Sequence, residues 1–180
     1  LSRRQRQMCI RDRIIERIME RTHLNVEVGG GIRSMETIDR LYQAGVSRVV
    51  LGTSLVTNQD FAAEALSRYP ELLVAGIDAK NGEVAVAGWR EGAGVPAEEL
   101  IAEVGKLGFK HLVYTDISRD GMQTGIDAGR YVEIAKVFGH PVIASGGVAN
   151  LDDITHLATV ADSIEGVIAG RAVYERTLDV

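Results

Sequence analysis

Short apolar runs alternate with longer amphipathic stretches along almost the whole chain. The runs Leu24–Val28, Val49–Leu51, Leu72–Ile77, His111–Tyr114, Val142–Ser145 and Gly166–Ala169 have the length and near-continuous apolar character of strands covered on both faces. Between them apolar residues recur at helical spacing. Ile14–Arg21 carries Ile14, Ile15, Ile18 and Met19, and a helix capped by Ser34 presents Ile38, Leu41 and Tyr42 on one face before Gly45 stops it. Further helices are predicted near Asp60–Tyr69, from Pro96 to Gly108, and near Arg130–Phe138 with an end at Gly139. The stretch Lys80-Asn81-Gly82-Glu83 predicts a tight hairpin turn into a short strand at Val84–Ala87. Strand and helix alternate without interruption, which predicts one α/β domain over residues 14–180 with a parallel sheet.

The same pattern occurs twice, near residues 26–56 and near 142–174. Val26-Glu-Val-Gly-Gly-Gly-Ile-Arg-Ser34 and Val142-Ile-Ala-Ser-Gly-Gly-Val-Ala-Asn150 each run from a strand through glycines to a polar helix start, and a second strand ending in glycine follows each. A doubly wound open sheet and a (β/α)8 TIM barrel both fit the alternation. The duplication favours the barrel, because two equivalent halves close around a two-fold axis. Small or polar residues also stand at one end of every strand: Gly29, Gly52, Asp78, Thr115, Gly146 and Gly170. In a barrel that end is the active face. A complete barrel needs eight strands and about 250 residues. About six βα units are legible, so the barrel is expected to be incomplete, with two strands missing from the front.

Composition narrows the function classes. The chain has 180 residues, 46% of them hydrophobic and 5% aromatic, which suits a packed parallel sheet. One cysteine, Cys9, excludes an internal disulfide framework and fits a reducing, cytoplasmic setting. No apolar run reaches the roughly 18 residues of a membrane span, so no membrane partner is expected. The net charge of −5 hides an asymmetry: residues 1–13 hold five Arg against Asp12, leaving −9 on the rest. An acidic body argues against nucleic acid as the ligand. The Arg-rich tract 1–13 has no periodicity; a basic arm or a targeting peptide would read similarly, and a non-native or disordered tract is the expectation.

Glycine turns at the carboxyl ends of strands, just before helices, let backbone N–H groups close on an anion. Two turns, each built from two successive strand ends, predict a ligand phosphorylated at both ends. The expected contacts are Gly30, Gly31, Gly52 and Thr53 on one side, and Gly146, Gly147, Gly170 and Arg171 on the other, with Arg33 either on the ligand or in solvent. Asp78 ends an apolar run at the mouth of the barrel and is the leading candidate for proton transfer, a turn-capping carboxylate being the alternative. Thr115 holds the corresponding place on the next strand, while alternation turns Asp116 away toward a structural role. Glu27 is expected to face the barrel interior in either a structural or a functional role. Trp89, the only tryptophan, lies in a glycine-rich stretch expected to form a mobile lid stacking on a flat ring. His23, His111, His140 and Cys9 show no metal-ligand spacing.

Several longer segments carry a resemblance: Val28-Gly-Gly-Gly-Ile-Arg-Ser34, Gly76-Ile-Asp-Ala79 with Val84-Ala-Val-Ala-Gly-Trp89, Tyr114-Thr-Asp-Ile-Ser-Arg-Asp-Gly121, Pro141-Val-Ile-Ala-Ser-Gly-Gly-Val148 and Gly166-Val-Ile-Ala-Gly-Arg-Ala172. From about Ile14 to its end the chain resembles the phosphoribosylformimino-aminoimidazole-carboxamide ribotide isomerases of histidine biosynthesis. The resemblance implies an Amadori aldose-to-ketose rearrangement of a bisphosphorylated ribonucleotide, in a cytoplasmic and monomeric intact enzyme that needs no cofactor. It assigns Asp78 to the acid on the fifth strand of the complete barrel, Thr115 to the threonine on the sixth, and Gly121 to the sixth βα loop as a phosphate contact. The family's first-strand Asp has no counterpart, and Met122 and Ile126-Asp127 depart from its usual Thr and Pro-Asn. Lacking one of two proton-transfer groups, this exact chain is expected to be nearly inactive, by a factor of about 10²–10⁴ or more. A dual-substrate isomerase serving tryptophan biosynthesis too, and a phosphate-binding partial barrel without catalysis, are the alternatives. The edges Leu24–Val28 and Gly166–Ala169 are expected to be unpaired and to promote self-association.

Overall fold

The computed structural model describes residues 13–86, 91–122 and 125–179. The Arg-rich tract up to residue 12 and Trp89 lie outside the described residues. A helix over 13–21 (α1) is followed by β1 (Glu27–Gly29), α2 (Met35–Gln43), β2 (Arg48–Leu51), α3 (Thr53–Thr57), α4 (Gln59–Arg68) and β3 (Leu73–Lys80). Next come β4 (Glu83–Val86), β5 (Glu91–Pro96), α5 (Ala97–Leu107), β6 (Leu112–Asp116), α6 (Ala128–Phe138), β7 (Val142–Ser145), α7 (Leu151–Ala158), β8 (Ile164–Ile168) and α8 (Arg171–Tyr174).

Six strands form one parallel sheet in the order β1-β2-β3-β6-β7-β8. This is the expected arc of an incomplete (β/α)8 barrel, with β1 and β8 at its two ends. Alternation along each strand sends one set of side chains outward to the helices and the other to the concave side. Leu51, Leu73, Ile77, Leu112 and Val142 pack outward against Ile38, Ile101, Ile134 and Tyr131, all essentially inaccessible. A separate inner cluster joins Val50, Val74, Val113 and Ile143. Both faces are therefore apolar, which is why these strands read as unbroken hydrophobic runs.

The curvature has a direct signature. Arg48 of β2 donates from Nη2 to Glu165 Oε1 of β8 at 2.6 Å, and His111 Nδ1 lies 2.9 Å from Glu165 Oε2. Four strand spacings separate β2 from β8, about 19 Å in a flat sheet. The two side chains together do not span that distance, so the sheet curls until its amino-terminal pole is bridged.

Two local expectations change. The glycine-rich stretch after the hairpin is not wholly a loop: residues 91–96 form β5, antiparallel to β4 through Val86↔Glu91 and Ala85↔Gly92. The turn before β4 has positive φ at both Asn81 (54°) and Gly82 (83°), the conformation whose twist matches a hairpin. Once β4 is set antiparallel to β3 through Ala79↔Val84, its free edge recruits the following segment despite the weak strand propensity of glycine. Tyr42 does not share the buried face of α2; it is 57% exposed and its ring lies tilted against that of Tyr69, the centroids 5.1 Å apart. In α1 only Ile15 is buried and Met19 packs beside it, whereas Ile14 and Ile18 face outward. Among the described residues no helix is long and apolar enough to cross a membrane.

Candidate active site at the carboxyl ends of the strands

The parallel register sets the site. Asp78 of β3 lies opposite Thr115 of β6, and Thr115 lies opposite Ser145 of β7. The three form one rank across neighbouring strands on the concave side, one step beyond the inner cluster of valines and isoleucine. Thr115 and Ser145 are buried, and Asp78 is half-buried. The rank is anchored from behind: the buried Tyr131 phenol donates to the Ser145 carbonyl at 2.6 Å and stacks edge-on against Tyr114. Burial pushes the Tyr131 phenol far above its ordinary range, so it remains a donor at any physiological pH.

The two glycine turns flank this rank. Their backbones repeat closely: φ is 88° and 74° at Gly30 and Gly31, against 92° and 96° at Gly146 and Gly147. Gly52 and Gly170 also match, with φ/ψ of −114°/−95° and −103°/−78° before α3 and α8. Gly29 pairs with Val50 in register, which places the first turn beside Gly52 and the half-buried Thr53. Arg33 is exposed at the edge of that turn.

The second turn is roofed by the loop from β6 to α6. Asp116 starts that loop by accepting from Ser118 N at 3.0 Å and Ser118 Oγ at 2.5 Å, the structural role expected of it. Arg119 Nη1 donates to Gly125 O at 3.2 Å. Arg171 donates from Nη1 to the Gly121 carbonyl and from Nε to Glu175 Oε1 at 2.5 Å, so its guanidinium spans from α8 to the loop. Gly121, Gly146, Gly147, Gly170 and Arg171 are thereby gathered at one corner.

Two groups were not anticipated. Ser145 completes the rank, but its place depends on the register of β7, which sequence does not reveal. Asp153 binds both loops at once, and its only sequence signal is the spacing Asn150-x-x-Asp153 of a capping box. At the opposite pole Glu27 faces the concave side beside Arg48, Glu165 and His111. Desolvation raises its carboxyl above the usual range against the opposing pull of Arg48. That pole is structural rather than part of the carboxyl-end site. Among the described residues no three His, Cys, Asp or Glu side chains gather in a metal-ligating cluster.

Comparison with known proteins matches the geometry to a family. The family model described as "Histidine biosynthesis protein" matches residues 3–179. The chain belongs to this histidine biosynthesis protein family. Within the family, it is 46% identical over 159 residues to the 1-(5-phosphoribosyl)-5-((5-phosphoribosylamino)methylideneamino)imidazole-4-carboxamide isomerase of Marinobacter nauticus, covering 88% of this chain and 65% of that protein. The isomerase of the same name from Desulfitobacterium hafniense is 45% identical over 168 residues, covering 92% of this chain and 67% of the relative. That of an Anaeromyxobacter species is 45% identical over 166 residues, covering 92% and 69%. The chain thus spans about two thirds of the length of the curated relatives it matches.

Proposed function

We propose that the protein isomerises a bisphosphorylated aminoimidazole carboxamide ribonucleotide from the aminoaldose to the aminoketose form, in the cytoplasm and in the service of histidine biosynthesis. The observation that carries this reading is the pairing of Asp78 with Thr115 on adjacent strands, between two glycine turns that each hold two successive glycines at positive φ. The two turns suit a ligand with a phosphate at each end, as the relatives' name implies for their substrate, and the rank between them meets the sugar. Asp78 gives a proton to the ring oxygen as the bond from that oxygen to C1′ breaks, and the substrate's nitrogen lone pair forms a Schiff base with C1′. Loss of the C2′ proton to a base then yields an enolamine. Protonation at C1′, with loss of the hydroxyl proton from O2′ as the C2′ carbonyl forms, completes the ketose. The substrate's own nitrogen holds the electrons, so no cofactor is needed. Thr115, held beside Asp78, supplies a hydroxyl to the sugar oxygens.

Replacing Asp78 by Asn preserves size and removes the proton. In the full-length protein, kcat is expected to fall by about 10²–10⁴ while substrate affinity changes little. Turnover unchanged in Asp78→Asn would overturn the assignment.

A further inference from the structure

In both glycine turns the next element is a helix whose first turn presents backbone N–H groups, an arrangement that invites an anion. At the second turn those groups are already taken. Asp153 Oδ2 accepts from Ala149 N at 2.8 Å and Asn150 N at 3.3 Å. Asn150 Oδ1 in turn accepts from Asp152 N at 2.9 Å and Asp153 N at 3.3 Å. The start of α7 therefore offers four amides that are satisfied internally, with a carboxylate beside them. The same carboxylate has a second use, since Oδ1 accepts from Ile126 N at 3.2 Å, in the loop between β6 and α6 and 27 positions away in sequence. A Cβ on Gly125 would lie 3.1 Å from that oxygen. The loop is thus drawn down onto the second turn, where a Cβ on Gly147 would lie 2.7 Å from the Gly125 carbonyl. From the other side Thr177 Oγ1 donates to Ala149 O at 2.6 Å, tying the segment after α8 to the same turn.

We propose that Asp153 is the positioning residue of the second phosphate seat. Its carboxylate holds the β6–α6 loop against Gly146–Gly147 and closes the start of α7, so that a phosphate is seated by the glycine turn instead of by α7. The inference deepens the proposed function and rests on its reading of the second turn as a phosphate seat. A capping role alone would leave the loop independent of Asp153. The link to Ile126 makes the loop and the turn one unit.

The test is amide NMR of the chain with inorganic phosphate, together with hydrogen exchange at Ile126. In the wild type, phosphate is expected to shift the amides of Gly146, Gly147, Gly170 and Arg171 and to leave Ala149 and Asn150 in place. Ile126 N–H is expected to be protected. In Asp153→Ala, Ala149 and Asn150 are expected to join the shifted set, and Ile126 protection to fall at least tenfold. Asn150→Ala damages the same helix cap but leaves Ile126 protection within twofold of wild type. Asp153→Asn, which keeps the side-chain volume, should give an intermediate loss if the alanine variant fails to fold. Wild-type shifts at Ala149 and Asn150 as large as those at Gly146–Gly147 would overturn the inference without any variant. So would equal loss of Ile126 protection in Asn150→Ala and Asp153→Ala. Absence of wild-type shifts at Gly146–Gly147, with Ile126 still protected, would instead overturn the phosphate reading on which it rests.

Discussion

The two glycine turns share positive φ at both glycines and differ in what surrounds them. Around Gly30 and Gly31 a Cβ would meet nothing within 4 Å. On Gly146 it would lie 2.5 Å from the Asp116 carbonyl oxygen, and on Gly147 2.7 Å from that of Gly125. The first turn stands at the β1 end of the sheet and the second lies beneath the β6–α6 loop. The supporting residues differ in parallel. Where the second copy has Asp153, the first has Thr37, whose hydroxyl lies 3.0 Å from Ser34 Oγ and, among the described residues, makes no hydrogen bond to a distant loop. Where the second copy has Ile143 in the inner cluster, the first has Glu27, which is exposed on the end strand and lies outside that cluster. The two copies thus keep positive-φ glycines at matching positions and differ in the side chains that support them.

The largest effect that separates the two turns is steric. Alanine at Gly146 or Gly147 brings both a left-handed-backbone penalty of about 1–2 kcal/mol and an overpacking penalty of about 1–3 kcal/mol against rigid carbonyls. Alanine at Gly30 or Gly31 brings only the backbone penalty, about 1–2 kcal/mol. Urea midpoints should therefore fall roughly twice as far for the second pair. Equal losses at the two turns would break the comparison.

A smaller effect concerns the inward residue of the first copy. The Glu27 carboxyl is raised above its ordinary value of 4.5 because partial desolvation on the concave side disfavours its charge, although the residue as a whole is exposed. The folded state thus binds the proton more tightly than the unfolded chain. The stability this confers is complete below pH 4.5 and lost as pH rises through the raised folded value. Glu27→Gln should accordingly be more stable than wild type at neutral pH, with the advantage vanishing below about pH 4.5. A constant difference across that range would show that the charge of Glu27 is fully compensated by Arg48.

Much of this was legible from residue patterns. The six parallel strands fall within a few residues of the apolar runs, and helices end at Gly108 and Gly139 as expected. That Asp78 and Thr115 lie at the same pole is legible because each follows an apolar run with a polar side chain. What stayed hidden depends on tertiary pairing. The strand β5 exists because β4 offers an edge, which the glycines of residues 91–96 do not advertise. The short helix α3 is too brief to show a period. The links from Asp153 to Ile126, from Arg171 to Gly121 and from Arg48 to Glu165 join residues far apart in sequence, so no local spacing announces them.

The central claim, that phosphates are gripped at both glycine turns with the sugar held across Asp78 and Thr115, is tested most directly by the affinity of the full-length protein for its bisphosphorylated ribonucleotide. That affinity should be compared with the affinities for two analogues, each lacking one terminal phosphate. Charge-assisted hydrogen bonds of about 1.5–3 kcal/mol predict a loss of about 10- to 10²-fold for either deletion. An unchanged dissociation constant after removal of one phosphate would contradict it.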